Sequence, residues 1–351
     1  MGVRILIGDV RDRLKELPDE SVDCCVTSPP YFGLRDYGTA GQIGLEATPD
    51  AFVTELVGVF REVRRVLKNS GTLWLNLGDS YAANRSYQVS QSKHQVHDYG
   101  DSNATRVPNG LKPKDLIGIP WRVAFALQAD GWWLRQDIIW SKPNPMPESV
   151  TDRCTKAHEY LFMLTKSARY FYDAEAIREP MSMSSVERLT QPNIDEQAGS
   201  DRVPGKTNGP MKAVGRVDKQ RGHSRRHAGF NDRWDAMEKA EQCSGMRNKR
   251  SVWEVATQPF AEAHFATFPP ALIEPCILAG CPKAGTVLDP FGGAGTTGLV
   301  ADRLGRSAIL IELNPEYVAI AERRLANDMG MFKSLDVDAG EIKPMGKEKA
   351  A

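Results

Sequence analysis

The sequence lacks any imbalance of charge. Its 45 lysines and arginines are matched by 45 aspartates and glutamates across 351 residues. No global electrostatic pull toward nucleic acid follows, so a phosphate-binding surface has to be a local patch. Paired cysteines are lacking too. Cys24, Cys25, Cys154, Cys243, Cys276 and Cys281 form no CxxC unit, which argues against a metal site or a disulfide framework and for a reducing compartment. No apolar run approaches the ~20 residues that a bilayer span needs. The chain opens on a strand-like run, Val3 to Ile7, rather than on a signal-peptide core. The expectation is a soluble, cytoplasmic protein with no membrane partner and no bound metal. Phosphate cradles are missing as well: the glycine-rich run at 292–295 matches neither GxGxxG nor a Walker A motif.

Alternating strands and helices are present. A short strand (Arg4–Ile7) and a helix start (Val10–Leu17) precede the apolar strand Val22–Thr27. Phe52, Leu56, Val59, Phe60, Val63, Val66 and Leu67 recur at spacings of three and four, which predicts an amphipathic helix. Asn69-Ser70-Gly71 is read as its stop, and the run to Asp79 as the next strand. A helix near Leu116–Ala129 and strands Trp133–Trp140 and Tyr160–Thr165 follow. Later come a helix from Pro270 to Ala279, strand Thr286–Leu288, helix Thr296–Leu304, strand Ala308–Leu313 and helix Pro315–Ala326. This alternation predicts an α/β fold, a parallel sheet with helices on both faces. The expected organisation is core at 1–79, a polar insertion at 80–113, core again at 114–180, a separate region at 181–251, core at 252–330 and a flexible tail at 331–351.

Region 181–251 has no apolar periodicity. Met181–Arg250 carries 14 Lys or Arg against 9 Asp or Glu, including the run Gly215–His227. Composition alone reads equally as a solvated insertion or as a basic contact surface.

Two turns carry chemistry. In the first, an apolar strand ends at Asp289, a glycine turn follows, a helix opens at Thr296, and a second strand ends on Glu312, 23 positions after Asp289. This is the strand, glycine turn, helix, strand and acid layout of ribose-binding α/β folds, with the acid placed to accept from ribose hydroxyls. A tight turn without ligand is the plain alternative. The second turn is Ser28-Pro29-Pro30-Tyr31, which follows strand Val22–Thr27 and so falls at the carboxyl end of the sheet.

At these residues a resemblance appears. Asp289-Pro290-Phe291-Gly292-Gly293-Ala294-Gly295 resembles the FxGxG cofactor motif of DNA amino-methyltransferases, and Ser28–Tyr31 resembles their [DNS]PP[YFW] catalytic motif. The catalytic motif comes first here, as in the permuted β class, and the resemblance spans nearly the whole chain. It implies a Rossmann-like S-adenosylmethionine-dependent sheet plus a smaller target-recognition region. On this resemblance Phe291 flanks the cofactor adenine, Gly293 and Gly295 line the methionine end with Asp289, Pro290 and Thr296 in the same turn, and Glu312 holds the ribose. Asp9 takes the adenine amino group, or simply caps a helix. Thr267 and Phe268 resemble the segment packed on the methionine moiety, against a plain helix start. Trp140, Lys142 and Pro147 resemble the WxKxxxxP segment lining the base pocket, or are surface and turn residues. Region 181–251 falls in the target-recognition slot, which makes Arg221, Arg225 and Arg226 candidates for DNA contact.

The residue types suit that reaction. An exocyclic amino nitrogen delocalises its lone pair into the ring and is a poor nucleophile. Ser28 Oγ and a carbonyl directed by Pro29-Pro30 would accept from its hydrogens and free the lone pair, while Tyr31 offers a face to an extruded base. Serine in the first position is most typical of cytosine-N4 enzymes, with adenine N6 as the alternative. Transfer to cytosine C5 is disfavoured, because Pro275-Cys276 lies in an apolar helix. The implied partner is double-stranded DNA in a prokaryotic or phage setting, with a restriction endonuclease and a homodimer as further options. A catalytically silent DNA-binding module and an RNA methyltransferase are the competing readings.

Overall fold

In the computed structural model, residues 2–34, 39, 41–82, 111–190, 244–258, 268–328 and 334–339 are described. The polar stretch from 83 to 110 and the basic run with Arg221, Arg225 and Arg226 lie outside them, as does Thr267. The chain divides into two compact units, one of Met1–Ala176 with Arg250–Ala351 and one of Ile177–Lys249.

The larger unit is built on a nine-stranded sheet. Its strands are β1 (Gly2–Ile7), β2 (Val22–Thr27), β3 (Leu67–Leu77), β4 (Trp133–Ser141), β5 (His158–Thr165), β8 (Val252–Glu254), β9 (Thr286–Asp289), β10 (Ser307–Glu312) and β11 (Ser334–Asp338). They lie in the order β11-β1-β10-β9-β2-β3-β5-β4-β8. Only β5 runs against its neighbours, β3 and β4; the other pairings are parallel. Its helices are α1 (Val10–Arg13), α2 (Pro49–Val66), α3 (Ile119–Ala129), α5 (Pro270–Gly280), α6 (Thr296–Arg303) and α7 (Pro315–Asp328).

Side-chain alternation explains why both faces are covered. Successive strand residues point to opposite faces, and here both sets are apolar, the pattern of a sheet buried on each side. Cys25, Leu73, Leu75, Phe162 and Leu288 join one core cluster with Phe52, Leu56, Phe60 and Val63 of α2 and Val123 and Leu127 of α3. The intervening residues Cys24, Thr72 and Trp74 meet α5 on the other face, close against Gly280. Thr48 starts α2 by accepting from Ala51 N, and Pro49 fits the first turn.

Besides the antiparallel β5, which breaks the expected all-parallel sheet, the structure departs from the sequence reading at three places. Helix α2 passes into β3 at Leu67 with no break, and Asn69 and Ser70 are exposed within the strand. The supposed stop is only a wet stretch of sheet beside a register shift between Val22 and Cys24. Within the tail expected to be flexible from 331, β11 adds a parallel edge to β1, with Arg4 paired to Asp338 at 2.7 Å. A five-residue edge strand, half-exposed and carrying two aspartates, leaves little hydrophobic pattern to read. Thirdly, the region from Met181 holds helix α4 (Met183–Leu189), capped by Ser182, and its unit pairs β6 (Glu179–Pro180) with β7 (Met246–Arg247). No residue of α4 is buried, so capping rather than an apolar face specifies it.

Candidate active site

Strands β1, β2, β9 and β10 all point the same way. Their last residues, Ile7, Thr27, Asp289 and Glu312, therefore reach one edge of the sheet. Because β5 is antiparallel, its first residues arrive at that edge too, and Glu159 pairs with Trp140 of β4. From β9 the chain proceeds to β10 on one side, and from β2 to β3 on the other, with β9 and β2 adjacent. That divergence is the switch point at which open α/β sheets bind ligands.

The two chemical turns are tied together there. Asp289 is 1% exposed. One of its oxygens accepts from Thr27 Oγ1 at 2.7 Å and from Phe291 N at 3.1 Å, and the other from Thr297 Oγ1 at 2.6 Å. Burial pushes its carboxyl up to about 6, against the lowering effect of these three bonds. Asp289 thus fastens the end of β2 to the glycine turn and to the start of α6.

A cavity of about 850 Å³ opens above this junction, within the size range of small-molecule sites. Ser28, Pro29, Pro30 and Tyr31 line it, and so do Asp289, Pro290, Phe291, Gly293, Thr296 and Glu312. Asp9, Phe268, Trp140, Lys142 and Pro147 complete the set of expected residues found on its wall. Gly295 is absent from that wall: it sits at φ +77° as the residue before α6, and a Cβ there would come 3.0 Å from Ala321 Cβ of α7. Helix packing, rather than ligand contact, accounts for this glycine.

At one end of the cavity, Glu312 accepts from Gly293 N and from Asn314 N, each at 2.8 Å. Burial raises its carboxyl above the ordinary value despite these bonds. Each oxygen keeps a lone pair for a further donor. Asp9 caps α1, accepting from Arg11 N at 2.8 Å, and both its oxygens also bind the Arg11 guanidinium. Burial works to raise the Asp9 carboxyl, but the bonds and charge of Arg11 together hold it below the usual range. The helix-capping reading of Asp9 is therefore realised, on the cavity wall. Ribose-like hydroxyls facing Glu312 and a planar, weakly polar group beside Phe291 suit this end, so its residues fit S-adenosylmethionine.

At the other end lies a network that sequence spacing did not disclose. Tyr31 donates to Glu159 Oε2 at 2.7 Å, Asn76 Nδ2 donates to the same oxygen at 3.2 Å, and Lys142 Nζ pairs with Oε1. Lys142 also stands 4.2 Å from the Trp140 ring centroid, a cation–π distance. Ser28 Oγ is 3.5 Å from the Tyr31 hydroxyl. The Lys142 and Glu159 side chains are 18% and 15% exposed, so the pair is shielded enough to be held by geometry rather than averaged by water. Glu159 and Asn76 were missed because their relation to Tyr31 depends on the β3–β5–β4 register. Cys276 is fully buried in α5 with Sγ toward Leu272 O, away from any nucleophilic role.

This geometry has counterparts among known proteins. A family model described as DNA methylase, covering N6 and N4 enzymes, matches residues 22–323. The chain belongs to the N6/N4 DNA methylase family. It is accordingly a DNA methyltransferase dependent on S-adenosylmethionine. It is 46% identical over 328 residues to the type II methyltransferase M.Cfr9I of Citrobacter freundii, covering 93% of this chain and 89% of that one. Identity to the type II methyltransferase M.SmaI of Serratia marcescens is 43% over 323 residues, 92% and 90% of the two chains. Two solved methylases share the fold. One is TTHA0409 of Thermus thermophilus, described as a putative DNA modification methylase and complexed with S-adenosylmethionine (TM-score 0.54, 24% identity, 95% and 98% covered). The other is the cytosine-N4-specific PvuII DNA methyltransferase (TM-score 0.56, 18% identity, 96% and 95% covered). Among the described residues of this methylase, no helix is long and apolar enough to cross a membrane.

Proposed function

We propose that this methylase modifies the exocyclic N4 of a cytosine extruded from duplex DNA into the cavity between Ser28 and Lys142. The observation that carries the reading is the junction at Asp289. It brings the Ser28–Tyr31 turn and the glycine turn into one cavity although Thr27 and Asp289 are 262 positions apart.

In this reading Glu312 and Phe291 hold the cofactor, and Phe268 packs beside it. S-adenosylmethionine supplies a sulfonium methyl group. The protein's task is then to position the amino nitrogen and to relieve its delocalisation. Ser28 Oγ accepts one N–H, and a carbonyl of the rigid Pro29-Pro30 pair accepts the other. Both acceptors are set before the base arrives, which is the preorganisation that lowers a barrier. Tyr31 presents its ring to the base, and the bond from its hydroxyl to Glu159 fixes the ring's tilt. Lys142, anchored by Glu159 and Trp140, presents a donor toward the ring acceptors that both cytosine and adenine carry.

The choice of cytosine rests on Ser28 at the first position of the turn. The basic run with Arg221, Arg225 and Arg226 is proposed to contact DNA, and Thr267 to neighbour the cofactor beside Phe268. Because the curated relatives are type II methyltransferases, a restriction endonuclease of the same sequence specificity is the proposed cellular companion.

The test is to express the protein, sequence the modified DNA to map its site, and digest that DNA to nucleosides. N4-methylcytosine is expected. N6-methyladenine would overturn the choice of base, and 5-methylcytosine or no methylation would overturn the proposal. Ser28→Ala is expected to lower the single-turnover rate at least a hundredfold with cofactor affinity within threefold; equal losses in both would remove Ser28 from the role given to it.

A further inference from the structure

Between β4 and β5 the chain reads Lys142-Pro143-Asn144-Pro145-Met146-Pro147. Each proline fixes its own φ near −65° and restricts the residue before it to extended backbone. Three alternating prolines therefore leave this segment little freedom to lose on binding.

The segment is also pinned on both sides. Asn144 donates through Nδ2 to Thr257 O at 3.2 Å and accepts from Thr257 N at 2.9 Å, and Trp140 Nε1 donates to Val255 O at 2.7 Å. On the other side Lys142 N donates to Ala157 O at 2.8 Å, and Glu148 binds both Arg153 and Lys156 N. At its crest is Met146, 87% exposed, the most exposed large hydrophobic side chain among the described residues. Met146, Pro145 and Pro147 all line the cavity that holds Ser28 and Lys142.

A solitary exposed methionine on an ordinary surface needs no explanation. This one is held up by a rigid, doubly anchored strap on the rim of the cavity assigned to the target base. Extrusion of a base leaves a gap in the stack, and DNA-bending proteins fill or open such gaps with apolar wedges, methionine among them. An unbranched, polarisable thioether is well suited to a gap bounded by aromatic faces.

We propose that Met146 is the wedge that enters the DNA base stack at the position vacated by the target base. The proposal rests on the reading that this cavity receives an extruded base. Its chemistry requires a duplex partner, an apolar side chain of about the length of methionine, and a rim that does not yield. It predicts that Met146 acts on opening the pair and not on methyl transfer.

The test uses the full-length protein on duplexes carrying the mapped site. In one the target base is normally paired, in a second it faces an abasic position, and in a third 2-aminopurine replaces it. Met146→Ala is expected to slow single-turnover methylation about thirtyfold on the paired duplex and less than threefold opposite the abasic position, where no pair has to be opened. Without cofactor, the native protein should raise 2-aminopurine fluorescence; Met146→Ala should lose most of that rise and Met146→Leu should keep it. An equal loss on paired and abasic duplexes, or no loss on either, would overturn the proposal. The native protein's own rate on the paired duplex reports separately on the cavity reading: if it fails there, that reading falls, and the wedge with it. Since Met146 is exposed, melting temperatures of both variants should match the native value, so misfolding is detected independently.

Discussion

Asp289→Asn isolates the energetic cost of the junction on which the site is built. The native carboxyl titrates at about 6, raised from 3.8 by burial. Each tenfold change in proton affinity corresponds to about 1.36 kcal/mol, so burying this group charged costs about 3 kcal/mol relative to burying it neutral. The direction follows from the raised value. The folded protein keeps the proton to a higher pH than the unfolded chain, so stability from this group is complete below pH 4 and is lost as pH rises through 6. Asparagine has nearly the same shape and can be satisfied here. Its oxygen can accept from Thr27 and Phe291 N, and its NH2 can donate to Thr297 Oγ1, which has Val26 O within 3.4 Å for its own hydrogen. The variant should therefore match the native protein near pH 4 and exceed it by up to about 3 kcal/mol at pH 7.5. Urea midpoints measured at half-unit steps between those limits give the gap directly. A gap that stays flat, or one that narrows toward pH 7.5, would refute the assignment of a raised carboxyl at Asp289. Asp289→Ala is the control: it strands Thr27 Oγ1 and Phe291 N and, having no titrating group either, should lie about 2–4 kcal/mol below Asp289→Asn at every pH.

Other substitutions probe the remaining parts of the site. Glu159→Gln leaves Lys142 without its carboxylate and should cost about 3 kcal/mol in chemical denaturation while slowing methylation more than tenfold; an unchanged rate would show that Tyr31 and Lys142 need no anchor. Gly78→Ala places a Cβ 2.5 Å from the Tyr31 ring, so the rate should fall through displacement of that ring, with cofactor affinity measured by calorimetry unchanged. Glu312→Ala removes the acceptor shared by Gly293 and Asn314 and should weaken S-adenosylmethionine binding by at least tenfold in the same calorimeter. Gly280→Ala would set a Cβ 2.4 Å from both Thr72 Oγ1 and Trp74 Nε1, and a thermal scan should show about 1–3 kcal/mol of lost stability with no change in KM.

Local signals carried much of the fold. Apolar strands ending in Thr27 and Asp289, and a helix marked by Phe52, Leu56 and Phe60, are visible because period and burial agree within a few residues. What stayed hidden was whatever depends on register or on edges. Glu159 is one acid among 45 acidic residues until β5 pairs antiparallel with β4 and lays it against Lys142. Strand β11 is legible only once β1 offers it an edge, and Gly295 looks like a ligand-facing glycine until α7 is seen packed against it. Asp9 was ambiguous in the sequence because capping and ligand binding ask for the same carboxylate at the same helix start.

The position of β1 has a consequence for how the protein is made. Its neighbours in the sheet are β10 and β11, so β1 has no sheet partner until about 300 further residues follow. At ~5–20 residues per second that wait is roughly 15–60 s, during which an apolar segment must be kept from wrong pairings. The same delay withholds Asp289 and Glu312 from the Ser28 turn, so the cavity that both turns line does not exist until β10 has been made.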